Sequence, residues 1–177
     1  ELLPARILFS ADLWVFLNLA VALFISVPAL NVLTHGTRIT VAHAMGTTIG
    51  INSTILLASV FYVLSQKYSG VLERHRLMIN RGFYLFHISL FAFLTFLVLS
   101  GMERGEWLNQ ESSITFRALQ LSIRPYLTGF LISGVGLATG ALMFVIPALK
   151  CLHCFFTGRK EVESDLSESD QLYCGSI

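Results

Sequence analysis

Apolar residues run along this chain in four blocks, at 13–37, 39–66, 82–102 and 125–149, and none of them contains Asp, Glu, Lys or Arg. Each reaches the ~20 residues that a helix needs to cross the hydrocarbon core of a bilayer. The pattern predicts an all-α, polytopic membrane protein with transmembrane helices at about 10–32, 39–65, 82–101 and 125–149. Helix one gives way to a polar link near Pro28 and Asn31, and helix four begins after Pro125 and ends near Pro147. A basic loop, "QKYSGVLERHRLMINR", joins helices two and three. The longer "ERGEWLNQESSITFRALQLSIR" joins three and four, is partly amphipathic, and carries Trp107 at a position suited to the headgroup level. Residues 1–156 read as one four-helix unit, and 157–177 as an acidic, disordered cytoplasmic tail too polar to build a core.

Composition narrows the class further. With 54% of residues hydrophobic, 13% charged and a mean hydropathy of +0.69, the chain has no soluble-domain balance. Its net charge of +1 carries no sign of nucleic-acid binding. The first apolar block is too long for the h-region of a signal peptide, and no small-residue cleavage site follows it. Eight of the twelve basic residues (Arg6, Lys67, Arg74, Arg76, Arg81, Lys150, Arg159, Lys160) fall on one side of a four-helix arrangement. Arg38, Arg104, Arg117 and Arg124 fall on the other, so both termini are predicted to be cytoplasmic. Cys151, Cys154 and Cys174 follow the last helix; the C-x-x-C spacing lacks a redox-fold or c-type haem context, and they read as plain or palmitoylated juxtamembrane thiols.

Within the apolar blocks, a few residues ask for partners. Helix four carries Gly129, Gly134, Gly136 and Gly140, with a G-x-x-x-G pair at 136 and 140 that suits tight packing inside the bundle or a dimer face. His87 in "GFYLFHISLF" is expected to make an interhelical hydrogen bond, and His75 and His153 to be solvated. The most informative stretch is "THGTRITVAHAMGTTIG", residues 34–50. His43 and Met45 are two apart and therefore point ~200° away from each other, so they cannot hold one metal together. They could serve two metals on opposite sides of helix two, in a region where Gly46, Gly50 and neighbouring alanines and threonines remove bulk. Equally, His43 could bond a neighbouring helix while Met45 fills a gap.

That stretch resembles the tenth transmembrane helix of the catalytic subunit of nitric oxide reductase, in the haem–copper oxidase superfamily, whose pattern runs approximately T-H-G-T-x-V-T-V-A-H-x-H. Thr34, His35, Gly36, Thr37, Thr40, Val41, Ala42 and His43 match in order, and a weaker similarity covers about 12–150, the last third of that subunit. The resemblance implies that His43 is the proximal ligand of a high-spin haem b. It places Met45 where the family has the histidine of a low-spin haem b, a departure that implies either His/Met ligation with a raised potential or a missing or altered low-spin haem. It sets His35, Thr37 and Arg38 near the haem propionates, although Arg38 reads equally as an ordinary interfacial arginine; Gly46 is among the small residues that leave room for a planar group.

The same resemblance implies oxidoreductase activity, NO or O2 reduction, in the cell inner membrane. It also implies what this chain lacks: the three histidines that hold the second metal, a non-haem iron or copper, belong to earlier helices. Other membrane subunits must carry them if this is a split subunit, with cytochrome c or quinol as electron donor and membrane lipid around it; a fragment or degenerate relative is the other explanation. A haem-bearing anchor or electron-transfer subunit, and a non-catalytic packing subunit, are the competing functions. On the sequence, neither His43 nor the glycine face of helix four has an adequate partner among the four helices, which also predicts a larger assembly.

Overall fold

The computed structural model describes the backbone of residues 2–109 and 115–174, and the side chains of 3–108, 115–153 and 156. The chain is helical from end to end of these segments. Helix α1 spans Leu2–Ser26, α2 Pro28–Thr34 and α3 Arg38–Met45; a π-helical segment, Gly46–Ser53, leads into α4, Thr54–Lys67. The short α5, Ser69–Arg74, precedes the long helices α6, Arg76–Asn109, and α7, Phe116–Cys174. Four stretches are long and apolar enough to cross a membrane: Leu3–Ser26, Arg38–Lys67, Arg76–Leu108 and Phe116–His153.

These helices overrun the uncharged blocks at both ends. Arg6, Lys67, Arg76, Arg81 and Arg104 all lie inside helices, because a charged residue ends an apolar block without ending the backbone hydrogen-bond ladder. Pro28 does break the first helix: it opens α2 from the extended Val27, where a missing N–H costs nothing. Pro125 and Pro147 lie within α7 instead of bounding it. The expectation for 157–177 concerns residues whose side chains lie outside the described set, as do those of Cys154 and Cys174.

Packing follows chain order. α1 lies against the π segment and α4, α3 lies against α6, and α6 lies along α7. One face of α1 carries Arg6, Ser10, Trp14 and Asn18, each four residues from the last and so stacked along one side of the helix. Each of the four makes a side-chain hydrogen bond to another helix. Farther in, Phe144 of α7 meets Phe61 of α4 and Phe86 of α6 edge-on, with ring centroids 5.6 and 6.1 Å away. The same cluster includes Ile7, Trp14, Leu72, Ile79, Leu90 and Cys151. Cys151 is a fully buried thiol, which suits the plain alternative and leaves no room for a palmitoyl chain; α5 and the start of α6 extend the core past the bilayer-length block.

Gly136 and Gly140 face α6. A Cβ at Gly140 would stand 2.7 Å from the backbone nitrogen of Phe86 and 2.8 Å from its Cα. The glycine face of helix four therefore has its partner within the chain, correcting the expectation that it lacked one. Elsewhere the surface is apolar: only 22–28% of each candidate span is buried, and Phe9, Phe16, Ile132 and Val135 are 69–74% exposed.

Because the obstacle at Gly140 is backbone, no rotamer change relieves it. Gly140→Leu is expected to destabilise the chain by about 1–3 kcal/mol or more in thermal unfolding in detergent. Gly134→Ala, whose added Cβ would meet only the Phe93 ring at 3.7 Å, should be neutral or stabilising by up to about 1 kcal/mol from helix propensity.

Candidate functional site

The "THGTR" corner is built from its own hydroxyls. Gly36 takes a positive φ of 71°, which turns the chain out of α2 without a Cβ clash. Thr37 caps α3: its hydroxyl donates to the Thr34 carbonyl at 2.7 Å and accepts from the Ile39 N–H at 3.3 Å. Thr40 donates to the same carbonyl at 3.3 Å. Thr34 and Thr37 are buried, whereas His35 is exposed at the end of α2. Arg38 is the first residue of α3, and its buried Nη1 has no hydrogen-bond partner among the described residues. A cation at a helix N-terminus opposes the helix dipole, so this guanidinium lies in a field that favours an added anion.

One turn further in, His43 closes a ring of hydrogen bonds with α1. Its Nδ1 is 3.1 Å from Oδ1 of Asn18, the Nδ2 of Asn18 donates to Thr47 Oγ1 at 2.6 Å, and Thr47 donates to the His43 carbonyl at 3.2 Å. The last two bonds orient the amide, because Nδ2 can only donate and Thr47 has spent its one proton. Oδ1 is then the acceptor facing the ring, and the His43 proton sits on Nδ1. Nε2 is left with a lone pair and makes no hydrogen bond among the described residues. An imidazole whose one nitrogen donates to a fixed acceptor while the other is free is prepared for a metal.

Gly46 makes this ring possible. A Cβ there would stand 2.6 Å from Asn18 Oδ1, and one at Gly50 would stand 3.1 Å from the Trp14 ring. The room that these glycines open is thus taken by α1. A shallow cavity of about 220 Å³, open to the surface, remains beside Asn18, Ala42 and Gly46, with Leu94 and Thr95 of α6 on its other wall. It is smaller than ordinary small-molecule sites, which begin at about 300 Å³. Met45 points away from this contact and is 37% exposed. His43 and Met45 are therefore separated as their spacing requires, and among the described residues no three His, Cys, Asp or Glu side chains converge on a metal position.

Two features here have weak sequence signals. Asn18 is the one amide within the apolar run 13–25, and that isolation was the available clue. The π-helical segment follows directly on Met45, and such widened turns often mark functional places. At its end two hydroxyls reach back five residues, Ser53 to Thr48 O at 2.9 Å and Thr54, the first residue of α4, to Ile49 O at 3.5 Å, whereas Thr47 and Thr48 reach back four. The run "GTTIGINST" shows those hydroxyls, but their number does not distinguish a π turn from an α turn.

Two other histidines, His87 and His75, have partners on neighbouring helices. Trp14 Nε1 donates to His87 Nδ1 at 3.0 Å, so the ring proton lies on Nε2, which donates to Ser10 Oγ at 3.1 Å; Ser10 passes its own proton to the Ile7 carbonyl at 2.6 Å. His87 makes the interhelical bonds expected of it. His75 is not solvated: it is half-buried, its Nδ1 is 2.9 Å from the Val71 carbonyl, and its Nε2 accepts from Lys150 at 2.9 Å. α5 folds the loop over the end of α7 and makes that contact.

Comparison with protein-family models, curated proteins and solved structures gave no match for this chain.

Breaking the ring has a measurable cost. Asn18→Leu is expected to lower unfolding stability by about 1–3 kcal/mol, since it strands polar groups of His43 and Thr47. Combined with Thr47→Val, it should deviate from additivity by at least about 0.5 kcal/mol. Additive effects would mean that the three side chains do not act as a ring.

Proposed function

We propose that this chain is a membrane-embedded, haem-binding part of a nitric oxide reductase-like oxidoreductase, in which His43 is the axial ligand of the high-spin haem b. The observation that carries the reading is the closed ring through Asn18 and Thr47, which supports Nε2 as a ready iron ligand. Arg38 adds to it: a buried guanidinium N–H without an acceptor, at a helix N-terminus and next to the exposed His35 corner, suits a propionate carboxylate. Thr37 contributes less than the family pattern implies, because its only O–H is already donated to Thr34. These residues fit one haem edge and one axial bond. Bound haem would supply one-electron chemistry and a site for a diatomic gas.

Each remaining role falls to this chain's own residues or to other subunits. Asn18 fixes the tautomer of His43 and turns its ring; Arg38 neutralises and orients a carboxylate at the entrance of helix two. Met45, on the opposite side and part exposed, offers a thioether to a low-spin haem b held between this chain and a neighbour. The cavity beside Asn18 and Gly46 is too small for a porphyrin, and in this reading the haem faces would lie on the outside of helix two against helices of other subunits. Those subunits would also bring the histidines of the non-haem iron or copper, and cytochrome c or quinol the electrons. The cell inner membrane with both termini in the cytoplasm is the placement that the basic residues favour.

One observation favours a second reading. His43 already has a complete set of partners at Nδ1 within the chain, as a purely structural histidine of a packing subunit would have. The two readings separate in the visible spectrum of the purified assembly. In the haem-binding reading His43→Ala abolishes the high-spin signal and retains part of the low-spin one, and Met45→His lowers the low-spin midpoint potential because imidazole is the stronger donor. Unchanged spectra and potentials in both variants would leave the packing reading.

A further inference from the structure

Arg6 is a cation without an anion. Its Nη1 donates to Asn80 Oδ1 at 3.2 Å, while its guanidinium carbon lies 4.7 Å from the centre of the Phe83 ring and 5.6 Å from that of Tyr84. These contacts fix the plane of the group, yet Nη2 is buried and has no hydrogen-bond partner among the described residues. An unmet N–H on a charged group is expensive, and an anionic oxygen is the acceptor that guanidinium geometry prefers.

Arg6 also stands where two cavities meet. The first, about 500 Å³, has a mixed lining and lies at the end of the bundle where α1 begins; Ser65, Gln66, Ser69 and Asn80 supply its polar part, Leu3, Leu72 and Ile79 its apolar part. Glu73 and Arg76 line it too, but they pair with each other at 3.0 Å, leaving Arg6 as its uncompensated charge. The second, about 470 Å³, is an apolar groove between α1 and α6, lined by Phe9, Leu13, Leu17, Ile88 and Phe91. A free phosphate would satisfy the first cavity and leave the groove bare. A polar anion joined to a hydrocarbon chain satisfies both.

We propose that Arg6 is the headgroup anchor of a bound anionic glycerophospholipid, with the phosphodiester at Nη2, the headgroup hydroxyls among Ser65, Gln66 and Ser69, and an acyl chain along the α1–α6 groove. A singly charged phosphodiester matches the single unpaired cation. The Ser and Gln side chains suit the hydroxyls of phosphatidylglycerol better than a bulky quaternary amine. The site rests on the membrane placement of the chain and is independent of haem binding.

Native mass spectrometry of the full chain, purified with whatever subunits accompany it and offered equimolar phosphatidylglycerol and phosphatidylcholine, tests the site. The wild-type chain should retain phosphatidylglycerol about tenfold better, about 1.4 kcal/mol, because both lipids offer the phosphodiester but only phosphatidylcholine brings a quaternary ammonium beside the Arg6 cation. Arg6→Gln should remove the preference. Leu13→Trp, at a 54% exposed position in the groove, should lower retention with Arg6 intact, which keeps the test sound even where Arg6→Gln fails to fold. Millimolar inorganic phosphate should not displace the lipid. Equal retention of both lipids by the wild-type chain, unchanged retention in a folded Arg6→Gln, or displacement by inorganic phosphate would each overturn the proposal. Alkaline carbonate extraction separates the two levels: release of the chain from membranes would overturn the membrane placement itself, whereas a retained chain without lipid preference would overturn only this site.

Discussion

One polar stripe ties the first helix to the others. Arg6, Ser10, Trp14 and Asn18 stack along a single side of α1, and they end on three places: Arg6 on Asn80, Ser10 and Trp14 on His87, and Asn18 on the His43–Thr47 pair. In an apolar surrounding every one of these groups must be satisfied inside the protein, and burying hydrocarbon gives no driving force between helices that lipid would not also give. Position along α1 is therefore set by hydrogen bonds. Sliding the helix by one turn would carry Trp14 away from His87 and Asn18 away from His43 together.

The same stripe connects packing to chemistry. His43 is held in one tautomer only because Asn18 reaches it, and Asn18 reaches it only because position 46 is glycine. Thr47, one turn after His43, reaches both the amide and the His43 carbonyl. What looks from the sequence like space cleared for a flat cofactor is, in the fold, space cleared for a side chain that aims the imidazole. The two uses are compatible, since the aimed nitrogen is the other one.

Some of this was legible in advance. Four spans, the opposed directions of His43 and Met45, and the interhelical bonding of His87 follow from block length and helix geometry, which need no tertiary information. The helix ends were not legible, because Arg6, Arg76 and Arg104 interrupt hydropathy without interrupting the backbone. Asn18 as partner of His43, the burial of Cys151 and the Lys150–His75 contact all depend on which helix faces which, and a single sequence with no internal repeat carries no record of that. The orphaned nitrogens of Arg6 and Arg38 are likewise products of packing: each arginine is ordinary as an interfacial residue, and distinctive only when one of its N–H groups is shut away from every acceptor.

The central claim is that the Asn18–Thr47 pair holds His43 with its proton on Nδ1 and its Nε2 free for iron. Nitrogen-15 NMR of the histidine-labelled chain, with the His43 signals assigned by their loss in His43→Gln, measures this directly. The account predicts a protonated Nδ1 and an unprotonated Nε2, with that order lost in Asn18→Leu. A His43 ring carrying its proton on Nε2, or one that samples both tautomers in the wild-type chain, would contradict it.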